Sequence, residues 1–232
     1  MIINRSFSSS FAKEERFGSL KSLVLLVVIA ILATSNSYAQ ASFETIDGLR
    51  YLIDSDAKTA TLTANTGEKY SGDIVVPEKV KASDGVEYPV TAFADNAFNN
   101  CKGLKSITIP SSVTSLGMSC FSASGLTSIT IPYSVTSLGN DCFHSCDALT
   151  SITIPSSVTS LGDYCFSYSG LTSITIPSSV TSLGKSCFEW CRGLTSITIP
   201  SSVTSLGSSC FYMCIYNHRT TKTNQKYPSV NL

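Results

Sequence analysis

Nine cysteines are the residues of this 232-residue chain with the most obvious capacity for chemistry. Three pairs have three residues between their members: Cys142 and Cys146, Cys187 and Cys191, and Cys210 and Cys214. A two-residue spacing is the stronger sign of zinc, and only two histidines, His144 and His218, stand beside these pairs as further ligands. The spacing therefore predicts neither a metal site nor a cofactor.

The cysteines have two further interpretations. Five of them directly precede a phenylalanine, which favours a small buried apolar residue: Cys120, Cys142, Cys165, Cys187 and Cys210. Disulfides are the alternative if the chain is exported to an oxidising compartment. Because nine is an odd number, at least one thiol would then stay unbridged within a monomer.

Catalytic groups are not arranged as an active site requires. The two histidines lie far apart in the sequence, and no glycine-rich loop of the phosphate-binding kind occurs. The acidic residues Asp141, Asp147, Asp163 and Glu189 fall at different positions of the pattern described below. Since a nucleophile needs a base within reach, we predict that the chain is not an enzyme. Sixteen basic residues balance sixteen acidic ones, so nucleic acid is not an expected partner.

An internal repeat must position all of these residues. The string SITIPSSVTSLG begins at Ser106, Ser151, Ser173 and Ser196, and once more at Ser128 with Tyr133 replacing a serine. The leading leucines are Leu104, Leu126, Leu149, Leu171 and Leu194, which gives steps of 22, 23, 22 and 23 residues. A fixed period of this length predicts a solenoid of stacked coils.

Within one repeat, Ser-Ile-Thr-Ile alternates and predicts a short strand with Ile129 and Ile131 inward and Ser128 and Thr130 outward. A proline ends the strand. Gly139 is expected in a turn that requires a positive φ, and the Cys-Phe pair on a short helical turn.

Stacking the coils turns equal positions into columns, because one coil alone buries too little surface to be stable. The expected inward column is Phe98, Phe121, Phe143, Phe166, Phe188 and Phe211.

The pattern L-x-x-I-x-I-P-x-x-V-x-x-L-G-x-x-x-F-x-x-C resembles the BspA-type leucine-rich repeat of bacterial surface proteins. It covers Leu104 to Cys214, with a degenerate copy from Ile74 to Gly103. Alanine usually precedes the phenylalanine in that family, whereas here only Ala97 does so. The resemblance implies a mainly β leucine-rich-repeat solenoid with short parallel strands and short helical turns. It also implies a secreted or surface-attached, non-catalytic protein for adhesion or protein binding.

Four segments follow from these patterns: a signal peptide (1–39), an N-terminal β cap (40–73), about six repeat coils (74–214) and a disordered tail (215–232). The apolar run from Leu23 to Ala33 is too short to span a bilayer, which favours a signal peptide cleaved before Gln40 over an uncleaved anchor. We therefore expect a secreted or cell-surface protein.

Positions that differ between the copies are the best candidates for recognition, since tyrosine and tryptophan are enriched at protein interfaces. The candidate partner-binding residues are His144, Tyr164, Tyr168, Trp190 and Tyr212. The expected partner is an extracellular or host protein, and neutral drift of loop residues is the alternative interpretation. Three other hypotheses stay open: a structural component that self-associates through its C-terminal coil, an ice-binding Ser/Thr face, and a non-functional truncated copy.

Overall fold

The structure, a computed structural model, describes residues 41–214. The predicted signal peptide (1–39) and disordered tail (215–232) lie outside the described residues. Among residues 41–214, no helix is long and apolar enough to cross a membrane.

The described part begins with an antiparallel meander of β1 (Ser42–Ile46), β2 (Leu49–Asp54) and β3 (Thr59–Thr63). The predicted Asp-Gly turn joins β1 to β2, and both of its residues have positive φ, 50° at Asp47 and 78° at Gly48. Such a turn matches the twist of a two-stranded hairpin. Residues of β2 and β3 alternate inward and outward, so that one face of the meander joins the core.

The first coil contains β4 (Gly72–Val75), β5 (Lys79–Lys81) and β6 (Glu87–Phe93). As the sequence predicts, β5 and β6 form a small hairpin around Asp84 and Gly85. Strand β6 pairs in parallel with β3 on one side and with the second coil on the other. The meander is thereby joined by backbone hydrogen bonds to the first coil and covers its apolar end.

The following coils carry β7 (Leu104–Thr108), β8 (Ser115–Leu116), β9 (Ser137–Leu138), β10 (Ser160–Leu161), β11 (Ser182–Leu183) and β12 (Ser205–Leu206). Strands β9 to β12 form a parallel sheet in which each serine faces a serine and each leucine a leucine. The predicted solenoid of repeated short parallel strands is confirmed.

The regular ladder of backbone hydrogen bonds, however, lies at the Ser-Leu segments. The sequence predicts it at Ser-Ile-Thr-Ile. At the latter position only β7 is a full strand, and Thr130, Thr153 and Thr175 form isolated parallel bridges. A proline directly after each Ile-Thr-Ile removes a donor, which limits pairing there. The predicted facing is nevertheless correct: Ile129 and Ile131 are buried, while Ser128 and Thr130 are exposed.

A third line of inter-coil hydrogen bonds runs through the Cys-Phe turns. The N–H groups of Phe121, Phe143 and Phe166 donate to the carbonyl oxygens of Cys142, Cys165 and Cys187 over 2.8–2.9 Å. The helical turn expected here is wrong, because residues 41–214 contain no helix and the Cys-Phe pair lies in a turn flanked by residues of positive φ. In the fourth coil of the stack these flanking residues are Tyr164 (54°) and Tyr168 (57°).

The inward phenylalanines stack along the axis of the coils. Successive rings of Phe98, Phe121, Phe143, Phe166, Phe188 and Phe211 lie 5.3–5.5 Å apart between centroids and are inclined by only 4–9°. The first five are fully buried, and Phe211 in the last described coil is partly buried. Near-parallel packing at this distance adds aromatic attraction to the burial of apolar area.

The alternation of 22 and 23 residues has a steric explanation. Coils that run Cys-x-x-Leu, such as Cys146 to Leu149, have one residue more than coils that run Ser-Gly-Leu, such as Ser169 to Leu171. A Cβ added to Gly170 would lie 2.0 Å from the carbonyl oxygen of Asp147 in the preceding coil. The backbone of the longer turn therefore occupies the space that a side chain of the next, shorter turn would need. Only glycine fits in the shorter turn.

The positive φ predicted for the second recurring glycine is wrong. Gly139 does not have a positive φ, nor do its equivalents, and positive values among the described glycines occur at Gly48, Gly72 and Gly85. In the equivalent position of Gly139 in other coils, such as Gly184, a Cβ would lie 2.4 Å from backbone atoms of the coil before. The reason for glycine in this column is close approach between coils, not backbone handedness.

Candidate functional site

The cysteines lie in the core. All nine are buried free thiols, which agrees with their interpretation as small buried residues. Burial raises the pKa of Cys120, Cys142 and Cys165 far above that of an exposed thiol, so these residues are poor nucleophiles and poor metal ligands. No group of three or more His, Cys, Asp or Glu side chains within residues 41–214 is placed to hold a metal ion.

A second cysteine position in the turn alternates with serine from coil to coil, as Cys101, Ser124, Cys146, Ser169 and Cys191. The thiols of Cys146 and Cys191 donate to the carbonyl oxygens of Phe121 and Phe166 over 3.0 Å. These contacts join each coil to the coil before it. The role of the thiols in this column is thus structural.

Four of the five candidate partner-binding residues form a row on the surface, which we call the outer aromatic row: His144, Tyr168, Trp190 and Tyr212. Tyr168 stacks on Trp190 at 5.7 Å between ring centroids and 8° between planes. His144 meets Tyr168 edge to face at 5.8 Å, and Tyr212 meets Trp190 in the same way at 6.4 Å. The row spans four consecutive coils, and Tyr168 and Tyr212 are about half exposed.

The fifth candidate, Tyr164, lies on the other side of the Cys-Phe pair of its coil. Its ring has Lys185 from the next coil 5.6 Å from its centroid, and it makes no ring contact with the outer aromatic row. The neighbouring Tyr164 side chain raises the pKa of Lys185. On the row itself, the guanidinium of Arg192 lies 4.5 Å above the ring of Trp190.

Local structure does not account for the aromatic side chains. Tyr168 and Trp190 occupy turn positions with φ of 57° and 59°, a conformation that bulky residues adopt at a cost. Other coils place Ala123 or Ser145 at the same position. Since small residues occupy this turn in two other coils, the turn does not require a ring, and the aromatic side chains point to a role outside folding.

A second surface is formed by the repeated segments 126–139, 149–162, 171–184 and 194–207, which contain no charged residue. Its exposed side chains are mainly serine and threonine, with Tyr133 as an exposed exception. The outward Ser and Thr columns predicted from the repeat are exposed: Ser106, Ser128, Ser151, Ser173 and Ser196, with Thr108, Thr130, Thr153, Thr175 and Thr198. The ice-binding hypothesis for this face stays a prediction.

Comparison with known families gives a clear assignment. Residues 91–218 match the BspA type leucine rich repeat region in six copies. The chain belongs to this family. Membership supports a surface repeat protein, in agreement with the fold. A search of curated proteins finds no match.

Two solved structures of leucine-rich repeat proteins share the fold. A leucine-rich repeat protein from Eubacterium ventriosum is 23% identical with a TM-score of 0.59, over 82% of this chain and 52% of that one. The T. pallidum leucine-rich repeat protein is 25% identical with a TM-score of 0.58, over 68% and 78% of the two chains. A leucine rich cell surface protein from Faecalibacterium prausnitzii is 27% identical with a TM-score of 0.45, over 68% of this chain. The chain spans 55% of the length of that last protein.

Proposed function

We propose that this chain is a secreted or cell-surface leucine-rich repeat protein that binds an extracellular or host protein through the outer aromatic row, without catalysis. One observation carries the proposal: four ring side chains from four successive coils are in contact and partly exposed. Contiguous Tyr and Trp side chains with an adjacent arginine are the composition of interface hot spots.

The geometry favours a protein surface as the partner. The faces of Tyr168 and Trp190 cover each other, so their edges point outward and offer a narrow apolar ridge with hydroxyl and indole N–H groups. Backbone hydrogen bonds of 2.8 and 2.9 Å, from Tyr168 to Glu189 and from Trp190 to Tyr212, hold the ridge rigid. A rigid ridge loses little side-chain entropy on binding, which favours adhesion by several modest contacts.

We expect the triple variant Y168A/W190A/Y212A to lose binding to its partner by at least about 30-fold, which corresponds to the roughly 2 kcal/mol of one hot-spot residue. The measurement is biolayer interferometry of the full chain against a panel of extracellular matrix proteins. The matched control S128A/T153A/T175A changes three exposed residues on the Ser/Thr surface of the same stack. Equal affinities of the triple variant and the unmodified chain would remove the outer aromatic row from the proposal.

Self-association through the last coil is the second candidate function. In the coil that contains β12, the core residues Ile199, Leu206 and Phe211 are only partly buried, unlike their equivalents in the preceding coils. A structural protein that stacks on itself would cover these residues. Light scattering of the full chain should then show growth with concentration that F211E abolishes, and a monomer at all concentrations would contradict this alternative.

A further inference from the structure

The first coil contains a carboxylate bound to the backbone of the second. Glu78 Oε1 accepts hydrogen bonds from the Ser111 N–H at 3.0 Å and the Ser111 hydroxyl at 2.9 Å, and Oε2 accepts one from the Ser112 N–H at 3.1 Å. These bonds from Ser112 and Ser111 lower the pKa of Glu78, although the carboxyl group is exposed to solvent. The Pro110–Val113 turn of this chain therefore binds a carboxylate without any basic side chain.

The same turn recurs in each later coil. Its closing hydrogen bond from the valine N–H to the proline carbonyl is 3.1 Å at Val113, 3.1 Å at Val135, 3.0 Å at Val158 and 3.1 Å at Val180. Its second serine also makes the same contact in each coil, a bond from the hydroxyl to the backbone of the preceding coil, as from Ser157 to Val135 at 2.7 Å. The turns are thus equivalent in backbone and in side-chain anchoring.

The turns differ in the residue that the preceding coil places beside them. For the turn at 110–113 this residue is Glu78. For the turns at 132–135, 155–158 and 177–180 the equivalent residues are Ser111, Tyr133 and Ser156, none of which has a carboxylate. Within residues 41–214, six backbone N–H groups of the later turns make no hydrogen bond to the protein: those of Tyr133, Ser134, Ser156, Ser157, Ser178 and Ser179. Each pair corresponds to the two N–H groups that hold Glu78.

We propose that the turns 132–135, 155–158 and 177–180, which we call the turn row, form a series of carboxylate-binding sites for an acidic polypeptide. Acidic side chains are absent from segments 126–139, 149–162 and 171–184, so the neighbouring carboxylate in this row of turns is that of Glu78, one coil before the first of the three turns. Two N–H donors and a serine hydroxyl are the donor set that Glu78 already uses. The turns at Ser156 and Ser178 repeat this set, whereas the turn with Tyr133 in place of the first serine offers the two N–H donors alone. This inference concerns a different surface from the outer aromatic row and does not depend on it.

The spacing of the turns selects the conformation of the partner. Neighbouring coils of a parallel stack lie roughly 4.8 Å apart. Glutamates three or four residues apart on a helix have Cβ atoms about 5–6 Å apart, close to this spacing. Side chains on one face of an extended strand are roughly 6.6–7 Å apart, which does not match the spacing of the turns. The partner that fits is a helix with glutamates at every third or fourth position, lying along the axis of the coils.

Binding has two expected signatures. Because the donors are backbone amides and not cations, affinity should fall less steeply with salt than for a basic patch. Because the partner must be ionised, binding should be lost as the pH falls through about 4.3, the ordinary pKa of glutamate.

The test uses the full chain and a synthetic helical peptide with glutamates at every third and fourth position. ¹H–¹⁵N NMR should show shifts of the Ser156, Ser157, Ser178 and Ser179 amides, and a peptide with glutamine in place of glutamate should leave them unmoved. Equal shifts with the glutamine peptide, or none with the glutamate peptide, would overturn the proposal. A response to a polyuronate but not to the peptide would overturn the assignment of a polypeptide partner.

Two variants act on the donors themselves. S156P/S178P removes one N–H from each of two sites, and proline suits the first central position of such a turn, so we expect about a tenfold loss of affinity. S156A/S178A keeps the N–H groups and is the matched control, with a loss of about threefold or less from the missing hydroxyls. E78A works in the opposite direction, because it frees the Ser111 turn as a fourth site and should strengthen binding about tenfold. Unchanged affinity in both S156P/S178P and E78A would overturn the proposal.

Discussion

Replacement of Phe166 by alanine should lower the free energy of unfolding by about 3–5 kcal/mol, among the largest effects of any single substitution in the coils. The ring is fully buried and lies 5.4 Å from the rings of both Phe143 and Phe188. Its removal leaves a cavity between two stacked rings that the coils cannot close, because three lines of backbone hydrogen bonds fix their separation. In a solenoid each coil contacts only its neighbours, so the cavity weakens the contact between both halves of the stack.

Urea denaturation followed by circular dichroism measures this loss. Tyr168→Ala is the matched control from the same turn, because its ring is 46% exposed and loss of its contacts with His144 and Trp190 should cost only about 1 kcal/mol. Similar losses for the two variants would show that the inward column does not support the stack as described.

The repeat made much of this fold predictable. Equal positions in the sequence become neighbours in space, so the phenylalanine column, the inward isoleucines and the outward Ser128 and Thr130 follow from periodicity alone. Periodicity does not say which segment of a coil makes the hydrogen bonds. That depends on backbone dihedral angles, and for this reason the sequence predicts the ladder at Ser-Ile-Thr-Ile, whereas the structure has it at Ser-Leu segments such as Ser160–Leu161.

The candidate site was predicted less completely. Variation between copies identified the aromatic residues, but the contact of Tyr168 with both His144 and Trp190 depends on one-residue offsets and on turns of positive φ that the sequence does not display. The turn row has a signal in the sequence. Glu78 aligns with Ser111, and this one acidic residue in an otherwise neutral column marks where a carboxylate binds.

Two alanine variants in the glycine column that contains Gly139 and Gly184 should change the free energy of unfolding in opposite directions. Gly184→Ala places a Cβ 2.4 Å from the Asp163 amide nitrogen and from the Gly162 carbonyl carbon, both of which are backbone atoms. Since neither atom can move without shifting a coil, we expect a loss of about 3 kcal/mol in the free energy of unfolding.

Gly139→Ala is the control from the same column, where the nearest atom, the carbonyl oxygen of Leu116, would lie 3.5 Å from the new Cβ in ordinary contact. Because Gly139 does not have a positive φ, alanine fits its backbone and reduces the freedom of the unfolded chain, which favours a gain of about 0.4–1 kcal/mol. If these glycines served a left-handed turn, as the sequence alone suggests, both variants would be destabilised alike. Thermal unfolding of the two variants side by side therefore distinguishes close approach of the coils from backbone handedness as the reason for glycine in every repeat.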